Sequence, residues 1–251
     1  MNPKKLLSIL AVVVAVFALT APVSAQFYVA PSERELLVFI DVASGTGWMS
    51  PFYDFVEFSA RDLAVSQLGS RYNRVWVVQG PTATRNNLRS CLNSITGRAG
   101  LRAVDLIFVT HGLNSRISFA DGSYESSEVA TFLRDNIVSS RRNKFRMCFS
   151  TACFGSQHRQ AWRDAGFEAV SGSREVYADS ALSYMPFLGA WRGYNTFRSS
   201  VDSANAADPA RTQDTIASGL LWSLGSSYWN DVDSFRVRQG YTSSIRVHRM
   251  R

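Results

Sequence analysis

The chain has 251 residues, 27 Lys and Arg against 20 Asp and Glu, a net charge of +7, and 46% hydrophobic residues. That length can bury one sizeable core. Beyond the first 25 residues no apolar run is long enough to cross a bilayer. The three cysteines show no paired CxxC or HxxxH spacing, which argues against a zinc site.

The first element is a leader. Lys4 and Lys5 precede an apolar run from Leu6 to Leu19, and small residues follow at Val23-Ser24-Ala25. This is the layout of a secretory signal peptide. The alternative, a membrane anchor, needs about 20 apolar residues. The expected organisation is therefore a signal peptide over 1–25 and a single α/β domain over 26–251, less regular from about 173. Removing the leader leaves 25 basic residues against 20 acidic ones, a net +5. The destination would be secreted or periplasmic.

From there strand and helix alternate. LLVFIDV (36–42) is a short apolar strand. PFYDFVEFSARDLAVSQLG reads as an amphipathic helix closed by Gly69. RVWVVQ (74–79) is a strand, TATRNNLRSCLNSIT a helix, and AVDLIFVT (103–110) the third strand. RISFADGSYES reads as a hairpin turning at Asp121-Gly122. SSEVATFLRDNIVSS is a helix with Ser126 or Ser127 as its cap. KFRMCFS (144–150) is the fourth strand, SQHRQAWRDAG a short helix and FEAVSG (167–172) the fifth strand. Beyond 173, DSALSYMPFLGAWRGY and DTIASGLLWSLGSSYW look helical, and SFRVRQ or SIRVHR would add an edge strand. Continuous apolar strands separated by helices imply a mostly parallel sheet with helices on both faces.

In such a sheet, ligands bind outside the carboxyl ends of the strands. His111 is the first residue after the third strand, and Cys153 follows the fourth by three residues. If the strands are neighbours, their axes lie about 4.8 Å apart. An imidazole there can take the proton of a thiol whose ordinary pKa is near 8.5. The helix beginning near Ser156 would favour negative charge on the sulfur. Gly112 lets backbone approach a substrate, and its N–H and that of Cys153 would serve an oxyanion.

The remaining candidates read differently. His158 is a rival base, expected on a helix surface and pointing away. His248 sits in the basic tail without an evident partner. Cys91 and Cys148 read as small buried hydrophobes, with a disulfide between them as the alternative. Five Arg from Arg236 to the end read as a solvated edge strand and tail. No nucleic-acid motif accompanies them, so no nucleic-acid partner is expected. No cofactor and no metal are expected.

At LIFVTHG and MCFSTAC the sequence resembles the caspase-like (clan CD) cysteine peptidases. Their hallmark is an apolar block ending in His-Gly and a second ending in Ala-Cys. RISFADGSYESSEVATFL resembles the ribbon and helix between those blocks. The resemblance covers roughly residues 34–175. It implies a three-layer α/β sandwich and a secreted cysteine endopeptidase acting on a protein or peptide. In that case His111 is the base or acid, Cys153 the nucleophile and Gly112 an oxyanion donor. Caspases carry Gln, and metacaspases Asp, where this chain has Thr151, so substrate preference does not transfer. Asp41 at the end of the first strand would either line a substrate pocket and favour Arg or Lys, or cap the next turn. The stretch SGSREVYADS (171–180) is a candidate cleft wall, in which Gly172 and Arg174 are the candidate contacts. Arg174 would suit an acidic substrate. The competing functions are another thiol acyl hydrolase or transferase, and a non-catalytic binding module on the same fold. The Gly-x-Ser-x-Gly elbow of serine hydrolases is missing around FSTACFGS.

Overall fold

The computed structural model describes residues 27–42, 50–177 and 180–250. The expected signal peptide, 1–25, lies outside the described residues. The chain runs β1 (Arg34–Asp41), α1 (Ser50–Leu68), β2 (Arg74–Gln79), α2 (Arg85–Thr96) and β3 (Ala103–Thr110). A small antiparallel sheet follows, made of β4 (Gly112–Leu113), β5 (Arg116–Phe119) and β6 (Gly122–Glu125). Next come α3 (Ser126–Asn136), a short α4 (Ser139–Arg142), β7 (Phe145–Ser150), α5 (Gly155–Ala165) and β8 (Ala169–Ser173). The last elements are α6 (Ser180–Arg192), α7 (Phe197–Asn205), α8 (Thr212–Ser223) and β9 (Arg236–Gly240).

The main sheet has the order β2-β1-β3-β7-β8-β9. All its neighbours are parallel except β9, which closes the edge antiparallel to β8. Every residue of β1, β3 and β7 is buried, which is why their sequences run apolar instead of alternating. Leu36, Val38 and Ile40 of β1 pack with Ala60 and Ala64 of α1 and Phe187, Leu188 and Trp191 of α6. Leu37 and Phe39 face the other way, onto Leu88 and Leu92 of α2, Val129 of α3 and Trp162 of α5. The result is a three-layer α/β sandwich with a core on each face of the sheet.

A buried ion pair ties β3 to β7. Arg146 Nε donates to Asp105 Oδ1 at 2.9 Å, and both side chains are fully buried. Trp191 Nε1 donates to the Tyr72 hydroxyl at 2.8 Å, and that hydroxyl donates to Asp105.

Several boundaries differ from the sequence reading for local reasons. Phe119 pairs with Gly122, so the hairpin loop is Ala120-Asp121, and Gly122 takes φ 136° as the first residue of β6. The N-cap of α3 is Glu125, whose N–H bonds to Glu128 Oε2 at 3.3 Å, and extended Ile137 ends the helix early. α7 carries Phe197, Val201 and Ala204 on its buried face, a 3.6-residue pattern that the sequence reading left unmarked. SFRVRQ forms the edge strand, whereas Arg246 and Arg249 of SIRVHRMR make only isolated bridges.

The basic tail is partly absorbed into the fold. Arg236 is buried over the Phe149 ring at 3.9 Å, Arg238 pairs with Asp202, and Arg246 donates to the Tyr194 carbonyl at 2.7 Å. All three cysteines are free thiols, so the alternative Cys91–Cys148 disulfide is not formed. Cys148 is buried within the α2-side core, and Cys91 packs against that core. Among the described residues, no helix is long and apolar enough to cross a membrane.

Candidate active site

β3 and β7 are direct neighbours, with Phe108 opposite Ser150 near their ends. The Thr151 amide donates to the Phe108 carbonyl at 2.8 Å and carries the pairing one step further. The two strands therefore release their chains side by side, His111 from one and Cys153 from the other. Both residues line one cavity of about 300 Å³. Thr151 lines it too, together with Val42 and Val109 from the sheet and Tyr53 and Val56 from α1. Tyr177 closes one side.

The imidazole is held by backbone. His111 Nε2 lies 2.7 Å from the Val42 carbonyl oxygen, and the Tyr53 ring meets it edge-on at 5.2 Å. A carbonyl can only accept, so Nε2 carries a proton, and in the neutral imidazole Nδ1 is the nitrogen with the lone pair. Val42 is pinned in turn: its amide donates to Glu57 Oε1 at 2.8 Å, and Gln79 Nε2 donates to Glu57 Oε2 at 3.3 Å. Glu57 is a buried carboxylate in the middle of an amphipathic helix, and the sequence reading missed it. The available signal was an acidic residue one position after the apolar Val56, on the inward side of α1.

The thiol is held by amides. The Tyr177 N–H donates to Cys153 Sγ at 3.3 Å. Burial pushes the thiol pKa up, while the amides of Tyr177 and of Cys153 itself act in the opposite sense. Burial, then the neighbouring Cys153 charge, raise the Tyr53 phenol above its usual value. Immediately after Cys153, Phe154 adopts a left-handed backbone at φ 54°, ψ 24°. Such a conformation costs a non-glycine residue about 1–2 kcal/mol. It turns the chain sharply from β7 into α5, and the Phe154 amide is secured on the Glu175 carbonyl at 2.7 Å.

Gly112 sits directly against the Cys153 backbone. A Cβ there would stand 2.5 Å from the Cys153 carbonyl oxygen and 3.0 Å from His158 Cε1. His158 is not on the surface, as the sequence had suggested. It is fully buried, with Nε2 2.9 Å from the Leu113 carbonyl oxygen, because α5 turns this face under β4. Burial lowers its pKa, and Nδ1 has no hydrogen-bond partner. His248 lies between the rings of Tyr194, at 4.7 Å, and Tyr28, at 6.1 Å.

The other sequence candidates lie elsewhere. Asp41 is buried and alternates with Val42, so it points toward the opposite face of the sheet. Gly172 packs backbone to backbone on the start of α5, where its Cβ would come within 2.3 Å of the Gly155 carbonyl carbon. Arg174 is exposed, pairs with Asp233 at 3.4 Å and covers the Phe235 ring at 4.5 Å. None of the three lines the cavity that holds His111 and Cys153.

No protein-family model and no curated protein matches the sequence. Solved structures do. Caspase-1 from Spodoptera frugiperda aligns with a TM-score of 0.53 at 9% identity, over 88% of this chain and 90% of that one. The Drosophila initiator caspase Dronc aligns with a TM-score of 0.54 at 8% identity, over 89% and 84%. The fold is caspase-like. A secreted C11 cysteine protease from Bacteroides thetaiotaomicron, "iotapain", is similar at a TM-score of 0.48 and 13% identity, over 70% of this chain. The chain spans 62% of that protease's length. In this caspase-like sheet the candidate dyad occupies the carboxyl ends of two adjacent central strands, the place where open α/β sheets bind ligands.

Proposed function

We propose that the chain is a secreted cysteine endopeptidase with His111 and Cys153 as its dyad. One observation carries this reading: an oriented imidazole and an amide-held thiol line one cavity from neighbouring strand ends. With Nε2 occupied by Val42, Nδ1 is the nitrogen free to take the thiol proton. The resting partners are the Val42 carbonyl and the Tyr177 amide, and catalytic hydrogen bonds commonly tighten only when substrate arrives.

In the reaction, Cys153 Sγ attacks the scissile carbonyl carbon as its proton passes to His111 Nδ1. The carbonyl π electrons move to oxygen, where the amides of Gly112 and Cys153 are the candidate donors. The tetrahedral species collapses, the C–N bond breaks, and His111 gives its proton to the departing amine. Water, deprotonated by the same nitrogen, then cleaves the thioester, and the proton returns to sulfur. Burial disfavours a standing thiolate, so the proton is expected to move with the attack rather than before it.

The test is labelling of purified protein with a peptidyl reagent that alkylates peptidase thiols. Cys153 is expected to be the labelled residue, and His111→Ala to lose the label. Peptide hydrolysis should disappear in Cys153→Ala. Undiminished hydrolysis by folded Cys153→Ala would remove the assignment.

A further inference from the structure

The outer wall of the cavity comes from α8, which contributes Ala217, Leu220 and Leu221, with Leu224 just beyond its end. The helix is fixed at its start. Asp208 accepts the amides of Thr212 at 2.9 Å and Gln213 at 2.7 Å, and buried Asp214 accepts the Ser234 amide at 3.1 Å. Asp214, Ala217 and Leu221 follow helical spacing along the inner face, while Leu220 is 53% exposed at the rim. Facing them across the cavity are Val42, Val56 and Val109.

Among the described residues, no Asp, Glu, Lys or Arg lines this space. The two charged candidates that predicted opposite preferences, Asp41 and Arg174, are both outside it. Arg236 approaches from β9, but its guanidinium covers the Phe149 and Tyr177 rings at 3.9 and 4.9 Å and donates to the Ser150 carbonyl. A charged side chain entering the cavity would lose its water without gaining a counter-charge from the described residues, whereas an apolar one gains by burial.

We propose that the substrate residue preceding the cut bears an uncharged apolar side chain, and that α8 selects it through Leu220 and Leu221. This inference rests on the thiol-peptidase reading. Thr151 at the floor offers a hydroxyl and a methyl in place of a charge. The volume of about 300 Å³ has room for a side chain as large as that of phenylalanine.

The experiment compares peptides that differ only at that residue, carrying Leu, Met, Phe, Arg, Lys or Asp. Each is assayed with and without prior iodoacetamide treatment. The expected result is kcat/KM at least about 100-fold higher for the apolar set than for the charged set. In Leu220→Asp, shown to be folded by circular dichroism, the ratio of Arg to Leu cleavage should rise at least about tenfold. Iodoacetamide-sensitive hydrolysis that is fastest after Arg, Lys or Asp overturns the pocket assignment and leaves the peptidase reading standing. An unchanged ranking in Leu220→Asp overturns the role of α8. Absence of iodoacetamide-sensitive hydrolysis with every peptide overturns the peptidase reading and the specificity with it.

Discussion

Gly112 and Cys153 touch through their backbones, so closely that a Cβ on Gly112 would stand 2.5 Å from the Cys153 carbonyl oxygen. That atom belongs to the main chain and cannot rotate aside. Gly112→Ala should therefore push the β4 turn and the Cys153 loop apart. A displacement near 1 Å at a reacting group can cost about 100-fold in rate. We expect a fall of that order in kcat/KM with the protein still folded. Near-normal hydrolysis by Gly112→Ala would show that the close approach is dispensable.

The Glu57 carboxylate acts on His111 through Val42. It fixes the Val42 amide at 2.8 Å, and the Val42 carbonyl fixes His111 Nε2 at 2.7 Å. Glu57→Ala should lower kcat by about 10- to 100-fold, with a smaller change in KM, because orientation is lost rather than substrate contact. Glu57→Gln keeps an acceptor for the Val42 amide and should recover part of the loss. Equal kcat in all three proteins would rule out the positioning role.

Stability should fall in mild acid because of His158. Burial depresses its folded-state pKa below the ordinary value of 6.5, so the unfolded chain takes up the proton first as pH drops. The stabilisation is complete above about pH 6.5 and is lost as pH falls through the lower, folded value. His158→Gln retains a donor for the Leu113 carbonyl and does not titrate. Its unfolding free energy should vary less with pH below 6.5 in urea titrations, and an identical slope would dismiss His158 as the origin.

The Asp105–Arg146 pair is buried on both sides and lies at the opposite end of the strands from His111. Removing one partner leaves an uncompensated buried charge, which costs about 3–5 kcal/mol. Asp105→Ala should show this loss in denaturant unfolding while activity per folded molecule is unchanged. A loss below about 1 kcal/mol would indicate that the site relaxes around Arg146.

With three free thiols, no disulfide contributes to stability. A reducing agent should leave Tm unchanged, and Cys148→Ala should cost about 1 kcal/mol as a small core truncation. A Tm that drops on reduction would point to a bond between thiols.

Strand and helix type, the parallel core and the two strand-end motifs were legible in the sequence. Each depends on local patterning: apolar runs bounded by Gly, a His-Gly pair and an Ala-Cys pair. What surrounds those motifs was not legible. Asp41 is separated from Val42 by a single position, yet strand alternation sends them to opposite faces of the sheet. His158 looked like a surface residue because α5 is polar overall, and its burial depends on β4 folding over it. Glu57, Tyr177 and Ala217 of the α8 wall lie 54, 66 and 106 positions from His111, so only folding brings them to it.

By itself the sequence determined most of the elements and singled out the candidate pair, since periodicity and side-chain chemistry are local properties. Tertiary structure alone decided which groups hold the imidazole, which amide meets the sulfur, and that α8 lines the cavity with apolar side chains. Those contacts join segments from β1, α1, the loop after β8 and α8, and no local pattern encodes which of them will meet.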